Sequence, residues 1–287
     1  DPTVMLQEEV EDFMAYMSPT EGEHAMRTEV VRRVTESVLQ LWPNAAVEIF
    51  GSFNTRLYLP SSDIDLVVMD NVIFGSSPMF ALRRQLLEDQ LCQPHSIEVI
   101  DKARVPIIKF TDRLTGFHVD ISFNRSNGMD AACIVRDFLK DPCIGRGLYT
   151  LLVLLKQFLA QRQLNEVYSG GIGSYALTIM IANFLKSHPQ VARGAMRPED
   201  NAGVLFLEFL EFFGKCFTHS NIGVAVTLDY GAWYYRKDER RGGGGGGGGD
   251  HLTVQDPQDF DNDVTRGSYR YHAVRTQLAR AHTKLVA

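Results

Sequence analysis

IFGSFNTRLYLPSSDIDLVV, residues 49–68, is the stretch on which the fold turns. AVEIF (46–50) is a short strand that runs into Gly51-Ser52, and SSDIDLVVM (61–69) is a second strand rich in β-branched residues. A glycine directly after a strand lets the backbone approach a phosphate, which successive N–H groups and a serine hydroxyl can cradle. Asp63 and Asp65 stand two apart on the second strand, and because strand side chains alternate, both carboxylates project from one face, a metal-binding geometry. Taken alone, such a pair also occurs at strand ends as solvated charge. A third carboxylate, Asp120, sits in HVDISF (118–123) between apolar Val119 and Ile121, where a charge needs a partner. Three carboxylates and a phosphate cradle suit two-metal phosphoryl or nucleotidyl transfer, because Mg²⁺ takes carboxylate and phosphate oxygens and keeps waters for the rest.

Outward from this stretch the chain organises itself. Val30, Val31, Val34, Val38, Leu39 and Leu41 recur at helical spacing, so Glu21–Leu41 reads as a helix, ended by Trp42-Pro43-Asn44. IEVIDKARVPIIKFTD (97–112) and FHVDISF (117–123) read as two more strands, separated by the turn Arg113-Leu114-Thr115-Gly116. From about Cys133, GLYTLLVLLKQFLAQRQ, GSYALTIMIANFLKSH and AGVLFLEFLEFFGKCF read as long apolar helices, and a last helix runs from Ser268 to Leu285. The expected fold class is α+β: a mixed sheet with helices over residues 19–130, and a mainly helical domain over 131–287 on which residues 1–18 pack. Eight glycines at 242–249 read as a flexible linker, and there is no internal repeat.

With 45% apolar and 22% charged residues in 287, disorder, collagen and coiled coil are excluded. Lys plus Arg number 29 against 35 Asp plus Glu, a net charge of -6, so any contact with nucleic acid has to come from a local patch. Residues 264–287 offer one, holding Arg266, Arg270, Arg275, Arg280 and Lys284 and no acid; a merely solvated helix face is an equal reading. Cys92, Cys133, Cys143 and Cys216 form no CxxC pair and have no His at zinc-ligand spacing, so they read as reduced thiols of an intracellular protein. No charged-then-apolar leader opens the chain and its apolar runs are too short to span a bilayer, which predicts a soluble protein of cytoplasm or nucleus with no membrane partner.

Taken together, IFGSFNTRLYLPSSDIDLVV, VPIIKFTD and VDISFN closely resemble the DNA-polymerase-β-like nucleotidyltransferases. Within that superfamily, LLKQFLAQRQLNEVYSGGIGSYAL and QDPQDFDNDV resemble the noncanonical poly(A) polymerases of the TRAMP-type branch, and the resemblance runs from about Trp42 to Tyr269. It implies a nucleotidyltransferase palm and a helical central domain with the nucleotide in the cleft between them. It also implies template-independent addition of AMP to RNA 3′ ends from ATP, with two Mg²⁺ or Mn²⁺ ions.

By position, the resemblance makes Asp63, Asp65 and Asp120 the catalytic, metal-holding triad, and Gly51 and Ser52 the residues that hold the triphosphate. Asn124 matches the position near the ribose, Lys156 the lysine on the triphosphate, and Ser174 and Tyr175 the pair beside the nucleotide, with Tyr175 as stacking platform. Asp256 and Asn262 match a nucleotide recognition motif, near 252–267, that touches the base edge. Structural readings stand beside three of these: a lysine after LLVLL can snorkel, an asparagine at a strand end can cap a turn, and a tyrosine opening an apolar helix can be core. Ala160 stands where uridylyl-adding relatives carry a second lysine, leaving Lys156 and Arg162 for the phosphates. Those relatives tend to have a histidine near the position of Asn262, so the asparagine favours ATP. The alternatives are a terminal uridylyltransferase or mixed-nucleotide tailing enzyme, and an inactive adapter with the same fold, against which the intact triad argues. With no zinc knuckle, RNA-recognition or KH signature, the expected partners are an RNA 3′ end and a protein adapter that supplies RNA binding or specificity.

Overall fold

Period-two alternation in three neighbouring strands decides which face of the sheet carries charge. The computed structural model describes residues 2–71, 73, 75–103, 105–124, 127–237 and 250–287; the glycine tract read as a linker at 242–249 lies outside the described residues. The chain forms two units, one of Met17–Cys133 and one that joins Asp1–Tyr16 to Ile134–Ala287. Helix α1 (Pro2–Met17) opens the chain. Its Gln7 Oε1 accepts from the Gly203 N–H at 2.9 Å, within the second unit.

The first unit runs α2 (Glu21–Leu41), β1 (Ala46–Phe50), α3 (Gly51–Thr55), β2 (Ile64–Met69), α4 (Ser77–Glu88), β3 (Glu98–Ile100), β4 (Ile107–Thr111) and β5 (His118–Phe123). Thr20 caps α2, its hydroxyl accepting from the Glu23 N–H at 3.1 Å. The five strands lie in the order β1-β2-β5-β4-β3, with β2 and β5 parallel and every other pair antiparallel. Ile64, Leu66 and Val68 of β2, Val119 and Ile121 of β5 and Ile108 and Phe110 of β4 join one core with Val30, Val34 and Val38 of α2 and Met79, Leu82 and Leu86 of α4. Alternation then sends Asp65, Asp120 and Lys109 to the opposite face.

Two expectations change in this unit. The run 97–112 is not one strand but the antiparallel pair β3 and β4, because Pro106 has no N–H to give a ladder. Strand β2 begins at Ile64, so Asp63 lies one residue ahead of it, at the end of the loop. Helix α4 was not anticipated, although Pro78 in its first turn and the spacing of Met79, Leu82 and Leu86 carry its signal.

Arg27 of α2 is wholly buried and holds the loop that delivers Asp63. Its guanidinium donates to the carbonyls of Ser62 (2.8 Å), Pro60 (3.1 Å) and Leu59 (3.5 Å) and to Glu23 Oε1 (3.2 Å). It also lies over the rings of Tyr58 and Phe117, at 4.5 and 4.3 Å from their centroids. Arg27→Ala would take the Arg27 donors from the Ser62 and Pro60 carbonyls, the Leu59 carbonyl keeping its bond from the Ser62 N–H (2.9 Å), and would open a cavity, so it is expected to destabilise the protein by about 3–5 kcal/mol, read from chemical denaturation. Denaturation curves that superimpose on the wild type would refute this.

Helix α5 (Asn127–Lys140) leads into the second unit, which contains α6 (Gly145–Ala160), α7 (Ser174–Ser187), α8 (Pro189–Ala192), α9 (Ala202–Glu211) and α10 (Tyr271–Leu285). A π-helical turn, Phe212–Cys216, continues α9. The unit is not wholly helical: Ile222–Thr227 and Gly231–Arg236 form the antiparallel hairpin β6 and β7. Helix α7 is buried all round from Ala176 to Leu185, the pattern of a central helix. Its one wholly buried amide, Asn183, donates to the carbonyls of Ala225 (2.7 Å) and Trp233 (3.0 Å) and so ties α7 to both hairpin strands. The last helix starts at Tyr271, three residues later than expected. All four cysteines are free, and no helix among the described residues is long and apolar enough to cross a membrane.

Candidate active site

In the first unit, parallel pairing sets Asp65 of β2 beside Asp120 of β5 in register, although the two lie far apart in sequence. Gly51 adopts φ +63°, in the left-handed region, and a Cβ built there would stand 2.2 Å from Asp65 Oδ2. The Asp65 carboxylate is therefore packed against the backbone that opens α3, and any side chain at this position would displace it. Ser52 follows, partly exposed in the first turn of α3.

Lys109, the cross-strand partner of Asp120 on β4, places Nζ 2.6 Å from Asp120 Oδ2. Burial holds the Asp120 carboxyl above its ordinary range, the Lys109 hydrogen bond and charge work against that, and the negative charge of Asp63 adds to it. Two of the three carboxylates thus repel each other across this face. The donor set fits a hard divalent cation: carboxylate oxygens on adjacent elements, excess negative charge, and a cramped backbone cradle at Gly51. Among the described residues no group of three His, Cys, Asp or Glu side chains is closed up as metal ligands, and Asp120 is turned onto the Lys109 ammonium.

Sequence reasoning passed over Lys109 and Arg27. Like Asp120, Lys109 in VPIIKFTD is a charge in an otherwise apolar strand and needs a partner. Arg27 carries no such signal, since a lone arginine on a helix is ordinarily solvated.

Asn124, expected near the ribose, makes its side-chain hydrogen bonds to the turn after β2. With φ +48°, it takes the Asp70 N–H on Oδ1 (2.9 Å) and donates Nδ2 to the carbonyls of Asp70 (2.9 Å) and Ile73 (2.7 Å). This braces the turn after β2, the capping role open to it from sequence.

In the second unit, three of the expected residues converge. The Tyr175 hydroxyl donates to Asp256 Oδ1 at 2.9 Å, and Asn262 Nδ2 donates to Asp256 Oδ2 at 3.0 Å. The Asp256 N–H donates to the Asn262 carbonyl at 3.0 Å, closing the loop between them. Burial, then the Asp256 charge and hydrogen bond, push the Tyr175 phenol well up, so it stays a neutral donor. The loop is anchored by the unanticipated hairpin: Val224 of β6 donates to the Thr253 carbonyl (3.0 Å) and accepts from the Gln255 N–H (2.9 Å). Ser174 is exposed at the start of α7.

Lys156 on α6 is 8% exposed. Arg162 is not poised for phosphate: its guanidinium lies 3.7 Å from the Phe158 ring centroid and donates to the Phe158 carbonyl at 2.8 Å. That leaves Lys156 as the lysine to test.

The family model of the central palm domain of mitochondrial-like poly(A) RNA polymerase matches residues 6–139. Over 286 residues the chain is 40% identical to poly(A) RNA polymerase cid14 of Schizosaccharomyces pombe, covering 99% of this chain and 41% of that one. It is 35% identical over 284 residues to Trf4-2 of Drosophila melanogaster, named an inactive noncanonical poly(A) RNA polymerase protein, covering 98% of this chain and 68% of that one. The solved structure of the polymerase core of TRAMP, an RNA surveillance complex, matches with a TM-score of 0.87 at 35% identity, covering 98% of this chain and 86% of that one. The chain spans less than half the length of cid14.

Proposed function

The chain belongs to the noncanonical poly(A) RNA polymerases of the nucleotidyltransferase family, and we propose that it adds AMP residues without a template to RNA 3′ ends, consuming ATP and releasing pyrophosphate. The observation that carries this reading is the pairing of Asp65 with Asp120 in register against the Gly51 backbone. Asp63, Asp65 and Asp120 would hold two Mg²⁺ or Mn²⁺ ions, which when bound supply activation of the attacking 3′ hydroxyl and charge neutralisation at the leaving pyrophosphate.

The chain's own groups bind and orient. Gly51 and Ser52 present backbone N–H groups and a hydroxyl to the triphosphate, and Lys156 adds a positive charge. Tyr175 offers its ring for stacking on the base while its hydroxyl, tied to Asp256, fixes the ring's orientation. Asp256 and Asn262 read the base edge. Asn124 acts at one remove, shaping the turn after β2. RNA choice would come from a protein adapter.

Extension of a short 5′-labelled RNA with each of the four NTPs, in Mg²⁺ or Mn²⁺, tests the reading. A ladder with ATP is the expected result. Preference for UTP would make the chain a uridylyl-adding enzyme. Likeness to a relative named inactive favours the adapter as second reading, and failure to extend with any of the four nucleotides would favour it further. Asn262→His is expected to lower the ATP-to-UTP preference by about tenfold, roughly 1.4 kcal/mol of discrimination at the base edge. An unchanged preference would remove Asn262 from base recognition.

A further inference from the structure

The acid-free end of the chain places exposed cations on the second unit. Helix α10 packs closely on the π-helical turn after α9: a Cβ added at Gly214 would lie 2.6 Å from the Ala279 nitrogen. Beside this contact runs a groove of about 650 Å³, floored by Gly214 and Ala279 and rimmed by His272, Arg280, Thr283 and Lys284. Arg275, also in the groove, is structural, donating to the carbonyls of Gly214 (3.3 Å) and Lys215 (3.2 Å). Arg280 and Lys284 are exposed and make no ion pair among the described residues. They stand one helical turn apart on α10, whose first residue, Tyr271, follows Arg266 and Arg270. The nearest acid on the neighbouring element, Glu211, faces His282 at 3.8 Å rather than these cations.

Aromatic rings flank the entry to this helix. Tyr269 is 71% exposed, and its ring lies on Gly170, where an added Cβ would come within 2.6 Å of it. The Arg270 N–H donates to the Gly170 carbonyl at 2.9 Å, holding the two segments together. Tyr168, in the same turn as Gly170, is 83% exposed. Asn262 of the base-reading network lies only a few residues before Tyr269.

We propose that this face is a binding track for single-stranded RNA, running from the Tyr168 and Tyr269 rings along the Arg280 and Lys284 edge of α10. The occupant follows from the chemistry. Exposed aromatic rings at the entry to the helix and unpaired cations further along it suit a single strand, bases stacking and phosphates taking charge. No leucine, isoleucine, phenylalanine or methionine lines the groove, so it lacks the large apolar pockets that anchor an amphipathic protein helix. On a chain of net charge -6 this is a local concentration of positive charge, and it supplies RNA grip from the chain itself. The proposal deepens the tailing reading and rests on it for the identity of the polyanion.

The test is fluorescence anisotropy of labelled oligo(A) with the whole chain, wild type against Arg280→Gln with Lys284→Gln, across a salt series and with unlabelled oligo(A) or poly-glutamate as competitor. Both positions are exposed, so the unfolding temperature should not move. The double variant is expected to bind at least about tenfold more weakly, with the slope of log affinity against log salt shallower by about 1.4, the release of two single-strand phosphate contacts. Tyr168→Ala should weaken binding without changing that slope. Equal affinity of wild type and double variant overturns the proposal. So does displacement by poly-glutamate at the same charge concentration as oligo(A), which would make the face a dock for an acidic protein. If the affinity difference appears but no NTP is incorporated, the RNA track stands and the tailing reading falls.

Discussion

Asp65→Asn is expected to lower AMP incorporation by at least about 10³-fold while leaving the palm unit folded. The substitution keeps the shape of the side chain and removes only its charge, so packing against Gly51 survives and a ligand charge does not. A loss of that size corresponds to about 4 kcal/mol of transition-state stabilisation, the scale of losing a metal that neutralises a transferring phosphoryl group. Asp63→Asn and Asp120→Asn are expected to fall in the same range, because the three carboxylates act as one unit and their effects should not add. Single-turnover extension with labelled RNA reads the rate, and thermal unfolding reads the fold. Activity within about tenfold of the wild type, in a folded protein, would take Asp65 out of the site.

Gly51→Ala is expected to cost about 10²-fold in extension rate together with about 1–2 kcal/mol of stability. Two separate penalties act at this residue. The left-handed φ of +63° disfavours any side chain by about 1–2 kcal/mol. The new methyl would also overlap Asp65 Oδ2, so the carboxylate has to move, and a displacement near 1 Å at a reacting centre is enough for a loss of about that order in rate. Gly116→Ala separates the two. Gly116 lies in the same unit with φ +75°, but nothing stands within 4 Å of an added Cβ, so it should lose stability alone. If both variants lost stability equally and neither lost rate, the Gly51 backbone would not position Asp65 for catalysis.

The chemistry was more legible than the architecture around it. Asp63, Asp65, Gly51 and Ser52 sit in one continuous stretch whose alternation and strand-to-glycine step can be read residue by residue. Tyr175, Asp256 and Asn262 were reached only through resemblance, since no local rule links a residue opening a helix to a loop eighty residues on. The hairpin β6 and β7 escaped notice because a short apolar run such as IGVAVT looks alike in a buried helix and a strand. Yet that hairpin anchors the loop from which Asp256 reaches Tyr175.

What the sequence alone determined is what depends on near neighbours: the capped helix α2, the apolar alternation of β2 and β5, and the chemical identity of the acids and of the glycine beside them. What only the tertiary structure decided depends on pairing at long range. Parallel register sets Asp65 beside Asp120, and antiparallel register sets Lys109 on Asp120. Buried Arg27 takes the loop carbonyls, and Asn124 and Arg162 turn onto backbone groups instead of outward. The physical reason is that a strand's alternation is set by its own residues, whereas its register is set by the whole core it must bury. A polar side chain's partner is settled only when that core has brought the donors and acceptors together.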